Sequence, residues 1–283
     1  MYYCVDMYND KLNFLPEISE EECRNVLRAA DISNRIVSYY GLGQCVCEAL
    51  DQLLLWSNDA SNSGNHMMRN LHRAERLVTG FLYEFRACLD HMETDIKRNY
   101  GKESELWKIY KDGTSRAYDT CPEYAFTYHL RNCAQHCNKV VDGFNGTSGG
   151  GISSNVLRLQ AEYKEWKQVD KDFMSKVGEN IDLVNLFQTA FLAFNDALIP
   201  VVQYLLDNQI ICDNLLYMRK WGDLLSERYK HDIHCFHIVN VVFKDGSSAT
   251  KEDMEHGETV VNGTVFEWEM IYGLTNSIVK NGE

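Results

Sequence analysis

Apolar residues recur at three- and four-residue steps over most of this chain, the period of a helix that buries one face. The clearest run is 66–100, where Leu71, Leu77, Val78, Phe81, Phe85, Cys88, Leu89 and Met92 keep that spacing and Gly101 stands where a helix stop is expected. Upstream, Ser19-Glu20-Glu21-Glu22 has the form of a capping box with an acidic first turn and predicts a helix to about Ala30. A second helix is predicted over 34–56, with an irregularity at Gly41-Leu42-Gly43, and the small polar stretch 57–65 reads as a linker. A short helix is predicted over 103–109. A longer one is predicted from Thr120 as N-cap, with Pro122 in its first turn, to about Val141. The glycine-rich residues 142–155 predict a loop, and the alternation of 156–163 predicts a strand. Helical patterning resumes near Asp170 and continues through 181–206 and 212–229.

Beyond residue 230 the period changes from helical to alternating. The segments starting at Cys235 and Glu258 predict strands, with Asp245-Gly246 and Asn262-Gly263 as hairpin turns. No repeat of fixed period is present. The fold class is therefore mainly α: a helical bundle with a small β-rich C-terminal segment. The expected organisation is N-terminal helices over 1–60, a helical bundle over 61–230 and the β-rich segment over 231–283.

Composition narrows the function. The net charge of −13 argues against a protein that coats nucleic acid over a broad surface, but leaves room for an enzyme that touches RNA at one small cleft. The ten cysteines include no CxxC pair, and the first residues lack the basic and apolar regions of a secretory leader. They read as reduced thiols in a cytoplasmic protein. No continuous apolar stretch of about 20 residues is present, so no membrane span is expected.

The predicted helix over 120–141 carries the densest chemistry. Asn132 and His136 are four apart and share a face, whereas Arg131 and His136 are five apart, about 140° around the axis. A histidine moves protons near neutral pH, and an arginine clamps a phosphate and stabilises its developing charge. Asn132 and Gln135 are placed to orient the imidazole or the phosphate. Such a set has the groups that RNA cleavage needs, with no metal or cofactor required. Two helices of this kind facing one another across a dimer axis bring an arginine and a histidine together better than one helix does. The spacing alone also describes an ordinary polar helix face.

The run Tyr128-His129-Leu130-Arg131-Asn132-Cys133-Ala134-Gln135-His136 resembles the motif of the HEPN superfamily, in which an arginine, often followed by asparagine, is separated from a histidine by four to six intervening residues. The stretch Phe85-Arg86-Ala87-Cys88-Leu89-Asp90-His91-Met92-Glu93 is similar to one on the preceding long helix of a group of uncharacterised bacterial members. The resemblance covers roughly residues 66–145. It departs at Cys133, where an aromatic residue is usual, and at Cys137-Asn138-Lys139, where a glycine-containing turn is usual. It implies a helical bundle that dimerises and a metal-independent endoribonuclease of toxin or phage-defence type, with RNA as substrate and a neutralising protein as further partner. It implies Arg131, His136 and Asn132 as catalytic residues; the residues themselves offer Gln135 as an orienting group, Arg86 and His91 as a supporting phosphate contact and Tyr128 as a ring that stacks a base, with core or interface packing the ordinary reading of Tyr128. Some members of the superfamily are non-catalytic, so a module that binds a nucleotide or a protein is the alternative.

Other constellations carry less. Arg86 and His91 repeat the spacing, yet Arg86 is also set to pair with Asp90 one turn on. His231, His234 and His237 have a spacing that suggests a metal site, but three-residue steps scatter side chains where a helix gives way to a strand. Gly149-Gly150-Gly151 lacks the context of a phosphate loop. Cys133 and Cys137 lie too close in sequence to His136 for the usual thiol–imidazole pair.

Overall fold

The computed structural model describes residues 1–8, 11–15, 17–60, 67–137, 139–145, 151–245, 247, 249–250, 252–256, 259–264 and 266–281. The chain is mainly helical, with a small antiparallel sheet that includes the C-terminal strands. Contacts divide it into two units, residues 1–40 with 205–283, and residues 41–204.

The first unit combines a sheet with three helical segments. Its strands are β1 (Tyr2–Tyr8), β2 (Lys11–Phe14), β6 (Phe236–Phe243) and β7 (Thr259–Thr264), in the antiparallel order β2-β1-β6-β7. Cys4 pairs with Ile238 and Val5 with both Phe14 and His237. The helical segments are the first half of α1 (Glu20–Ala60), α8 (Gln209–Tyr229) and α9 (Trp268–Asn281). Ser19 caps α1 as predicted: its Oγ accepts from Glu22 N at 3.1 Å, and Glu22 Oε2 accepts from Ser19 N at 2.9 Å. Cys4, Val5, Cys23, Val26, Leu215, Phe236, Ile238 and Trp268 are buried in this unit.

The second unit is a bundle around an aromatic core. It contains α2 (Met67–Asn99), α3 (Glu105–Thr120), α4 (Pro122–His136), α5 (Val156–Glu162), α6 (Gln168–Val177) and most of α7 (Leu183–Leu206). A three-stranded antiparallel sheet, β3 (Gly143–Asn145), β4 (Gly151–Asn155) and β5 (Asn180–Asp182), lies between them in sequence. Along α2, Ala74, Val78, Phe81, Phe85, Cys88, Met92 and Ile96 are buried at the predicted spacing. Phe81 packs on Phe187 with ring centroids 4.6 Å apart, and Phe85 packs on Tyr124 at 5.3 Å and Phe194 at 5.2 Å. These contacts join α2, α4 and α7. Gly101 ends α2 with φ of +88°, a conformation that favours glycine.

Several sequence expectations are corrected. The N-terminal region is not helical throughout, because β1 and β2 supply two of the four strands of the main sheet. The helix α1 runs through Gly41 and Gly43 without a break; a Cβ at Gly43 meets nothing within 4 Å. The predicted short helix after Gly101 extends to Thr120, Cys121 rather than Thr120 caps α4, and α4 stops at His136. The 142–155 loop contains β3 and β4, with 146–150 outside the described residues. Residues 156–162 form a helix, not a strand: Asn155 Oδ1 accepts from Arg158 N at 3.0 Å, and Val156, Leu159 and Tyr163 form a helical buried stripe. Asn262 and Gly263 lie inside β7, where Gly263 pairs with Val239, and the C-terminal segment ends in a helix rather than a strand. Of the predicted Asp245-Gly246 turn, Gly246 lies outside the described residues, as do 61–65 of the predicted linker.

Among the described residues one helix, α7, is long and apolar enough to cross a membrane, although polar Gln188, Asn195 and Asp196 interrupt its apolar run. Its Phe187 and Phe194 pack on α2 in the core of the second unit. All ten cysteines are free thiols.

Candidate functional site

The residues chosen from sequence lie on or beside α4. Cys121 precedes the helix in an extended conformation and Pro122 opens it, where a missing N–H costs nothing. Tyr124, Ala125, Phe126, Thr127, Leu130 and Cys133 are buried against the bundle, Phe126 stacking on Trp166 at 5.2 Å and packing on Phe173 at 4.8 Å. That wide apolar face leaves Tyr128, His129, Arg131 and Asn132 half-buried and Gln135 and His136 exposed.

Arg131 and His136 are not brought together within one chain. The Arg131 guanidinium donates to the Gln135 side-chain oxygen one turn on, along the other side of the helix. The His136 ring stacks in parallel with Tyr163 at 6.3 Å. Among the described residues, Arg131, Asn132 and His136 form no ion pair with a carboxylate. Arg86 pairs with Asp90 as the spacing suggested, Nε lying 2.8–2.9 Å from both carboxylate oxygens. Its guanidinium also covers the Tyr128 ring at 3.8 Å. Burial works against the Arg86 charge, but Asp90 and Tyr128 outweigh it and hold its proton more tightly than usual. His91 is exposed.

A histidine that sequence reasoning passed over is better fixed. His129 Nδ1 lies 2.8 Å from Oδ1 of Asp170, which is fully buried at the start of α6. The other oxygen, Oδ2, accepts from Lys167 N at 2.8 Å and so caps that helix. Asp170 thus ties the first turn of α6 to α4, with His129 Nδ1 placed to donate to its carboxylate. Tyr118 and Tyr128 stand edge-on to the imidazole at 5.7 and 5.5 Å. The signal was available in the shared face of His129, Asn132 and His136 on a helix, but the partner is 41 residues away in sequence.

The chain leaving α4 is clamped. Glu75 on α2 accepts from Val140 N at 2.8 Å and Val141 N at 2.7 Å with its two oxygens. Arg158 on α5 donates to Asp142 at 2.5 Å, Lys139 O at 2.8 Å and Val140 O at 3.1 Å. These bonds fix the segment that follows His136. Cys133 and Cys137 have sulfurs 3.6 Å apart, and burial, then the Cys137 contact, pushes the Cys133 thiol up, away from the thiolate a nucleophile needs.

No protein-family model, curated protein or solved structure matches this chain. Function is therefore read from its own residues.

A cleft of about 310 Å³ opens between α2, α3 and α4. Tyr110, Tyr118, Tyr124 and Tyr128 line it, with Asp90, Glu93, Lys111 and Asp119. Burial raises Tyr118 and Tyr128 above the usual phenol range, with the Arg86 charge opposing the rise at Tyr128. Tyr110 donates to Leu89 O at 2.8 Å, and Tyr124 is only 2% exposed.

In the first unit, His231 Nδ1 lies 2.6 Å from Oδ2 of buried Asp6, while Oδ1 of Asp6 has no hydrogen-bond partner among the described residues. His237 lies on β6 opposite Val5. Among the described residues, no group of three His, Cys, Asp or Glu side chains is arranged to hold a metal ion.

Proposed function

We propose that this protein is a metal-independent endoribonuclease of the HEPN type, acting in the cytoplasm in a toxin-like or phage-defence role, with the C-terminal half of α4 as its active surface. The observation that carries this reading is the state of Arg131, Asn132 and His136. His136 is exposed and Arg131 and Asn132 are half-buried; the three lie on two successive turns, and among the described residues none pairs with a carboxylate, in a chain of net charge −13. An arginine whose described partner is a neutral amide keeps its charge available for a phosphate. His136 takes the 2′-hydroxyl proton. The 2′-oxygen then attacks phosphorus, and the bond to the 5′-oxygen breaks as that oxygen takes a proton from solvent water. The products are a 2′,3′-cyclic phosphate and a free 5′-hydroxyl. Asn132 orients the phosphate or the imidazole, and Gln135 holds Arg131 until substrate replaces it.

Because Arg131 and His136 point to different sides of one helix, the complete site takes Arg131 from one copy and His136 from a second, across a two-fold axis. Wild-type protein incubated with total RNA in EDTA is expected to yield fragments ending in 2′,3′-cyclic phosphate. His136→Ala and Arg131→Ala, neither at a fully buried position, are expected to stay folded and lose about 10²–10⁴-fold in rate. Mixing the two inactive variants is expected to restore about a quarter of wild-type activity, since each mixed dimer holds one complete site. Undiminished cleavage by His136→Ala removes the proposal. Absence of cleavage by folded wild type, together with retained RNA binding, favours a non-catalytic module instead.

A further inference from the structure

We propose that the cleft between α2, α3 and α4 is a nucleobase pocket that accepts guanine, and that it selects the base next to the bond cut at α4; the second half rests on the ribonuclease reading above. The walls are aromatic: Tyr118 and Tyr128 stand edge-to-face at 6.4 Å, and the Arg86 guanidinium at 3.8 Å holds the Tyr128 ring in place. Proteins read unpaired bases by stacking them on aromatic rings and hydrogen-bonding their edges. The volume of about 310 Å³ lies at the lower end of small-molecule sites.

Charge decides which edge enters. Asp90, Glu93 and Asp119 line the cleft against a single lysine, Lys111, so a phosphate is repelled and an edge rich in N–H donors is favoured. Asp90 is committed to Arg86 and Glu93 contacts Lys97, but Asp119 has no ion pair or hydrogen bond among the described residues. Guanine presents two adjacent donors, N1–H and the 2-amino group, matching the two oxygens of one carboxylate. Adenine and cytosine place a ring acceptor beside the amino group, and uracil flanks its only ring donor with carbonyls. Those acceptors meet a carboxylate unfavourably. Guanine O6 and N7 are left to accept from the Tyr124 hydroxyl and from Lys111, two donors among the residues that line the cleft.

The pocket also lies at the right distance from the proposed chemistry. Tyr128 precedes Arg131 and Asn132 by three and four residues, one helical turn or about 5 Å along α4. A base in the cleft and a phosphate at Arg131 therefore belong to the same nucleotide or to neighbours.

The test is calorimetric titration of full-length His136→Ala protein with guanosine, adenosine, cytidine and uridine 3′-monophosphates, repeated with Asp119→Asn and Tyr124→Phe added. Both added changes are near-isosteric, and thermal melts confirm that the proteins are folded. The guanosine nucleotide is expected to bind at least tenfold tighter than the others, and each added substitution to weaken it at least fivefold. Equal affinity for the four, no binding, or binding that ignores both substitutions overturns the pocket. Mapping wild-type cut sites separates the two proposals. Cleavage without base preference overturns the pocket and leaves the nuclease, whereas guanine binding without cleavage keeps the pocket and overturns the nuclease.

Discussion

The pair formed by His129 and Asp170 makes the most demanding prediction about how the second unit is held together. Asp170 is completely buried, and its two oxygens serve different elements: Oδ1 takes His129 of α4, and Oδ2 takes Lys167 N and caps α6. A hydrogen bond to a carboxylate is worth about 1.5–3 kcal/mol. Lys167 is exposed, so water recovers most of the second bond once the carboxylate is gone. The His129 side chain is only 11% exposed, so the first bond is mostly lost. Asp170→Ala is therefore expected to cost roughly 3 kcal/mol, and Asp170→Asn about half, since the amide keeps one acceptor. At roughly 2–4 °C per kcal/mol for a unit of this size, the alanine variant melts about 6–12 °C lower. Urea unfolding followed by far-UV circular dichroism reads the difference, and adding His129→Ala closes a double-mutant cycle. The expected coupling is about 1–2 kcal/mol. A cost below about 1 kcal/mol for Asp170→Ala, or no coupling to His129, refutes the view that this bond joins α4 to α6.

Three further predictions test other joints. Gly113→Ala on α3 places a Cβ 2.4 Å from the backbone oxygen of Ala197 on α7. Overpacking against rigid backbone costs about 1–3 kcal/mol, more than the helix-propensity gain of about 1, so the substitution destabilises, and an unchanged urea midpoint contradicts this. Glu75→Ala frees Val140 N and Val141 N, so amide exchange at those two residues is expected to accelerate well beyond that of the neighbouring α2 amides; unaltered protection counts against the clamp. Burial holds the His237 pKa below its ordinary 6.5, with the nearby His234 charge acting in the same direction. Its neutral form then favours the fold: the contribution is complete above about pH 6.5 and declines as pH falls through the lower folded value, by at most about 1.4 kcal/mol per pH unit. Thermal melts from pH 7.5 to 5 are expected to show this decline for wild type and a shallower one for His237→Asn; parallel curves reject the assignment.

What could be read from sequence divides along a physical line. Features whose partners lie within one or two turns were legible: the Ser19–Glu22 capping box, the buried stripe of α2, the Gly101 stop and the Arg86–Asp90 pair all follow from local periodicity. Features completed from far along the chain were not. The strand β1 alternates weakly and becomes a strand because β6, more than 220 residues later, pairs with it. Asn262-Gly263 has the chemistry of a tight turn, yet the register with Val239 keeps it extended inside β7. Residues 156–162 satisfy strand alternation and a helical stripe equally, and the Asn155 cap decides for helix.

The candidate site follows the same division, and this bears on how α4 works. From sequence, His129 and His136 are equivalent members of one helical face seven residues apart; only tertiary structure distinguishes them. His129 is half-buried and fixed by Asp170, whereas His136 stands at the exposed helix end, stacked on the Tyr163 ring. A fixed imidazole inside the bundle supports the helix. An accessible imidazole, held on a helix whose exit is clamped by Glu75 and Arg158, is placed for a substrate or for a second copy of the chain. The two histidines thus divide the work of α4. Loss of His129 is expected to appear first as lost stability, and loss of His136 as lost cleavage in a protein that still folds, so comparing the two variants separates a structural helix from a catalytic one.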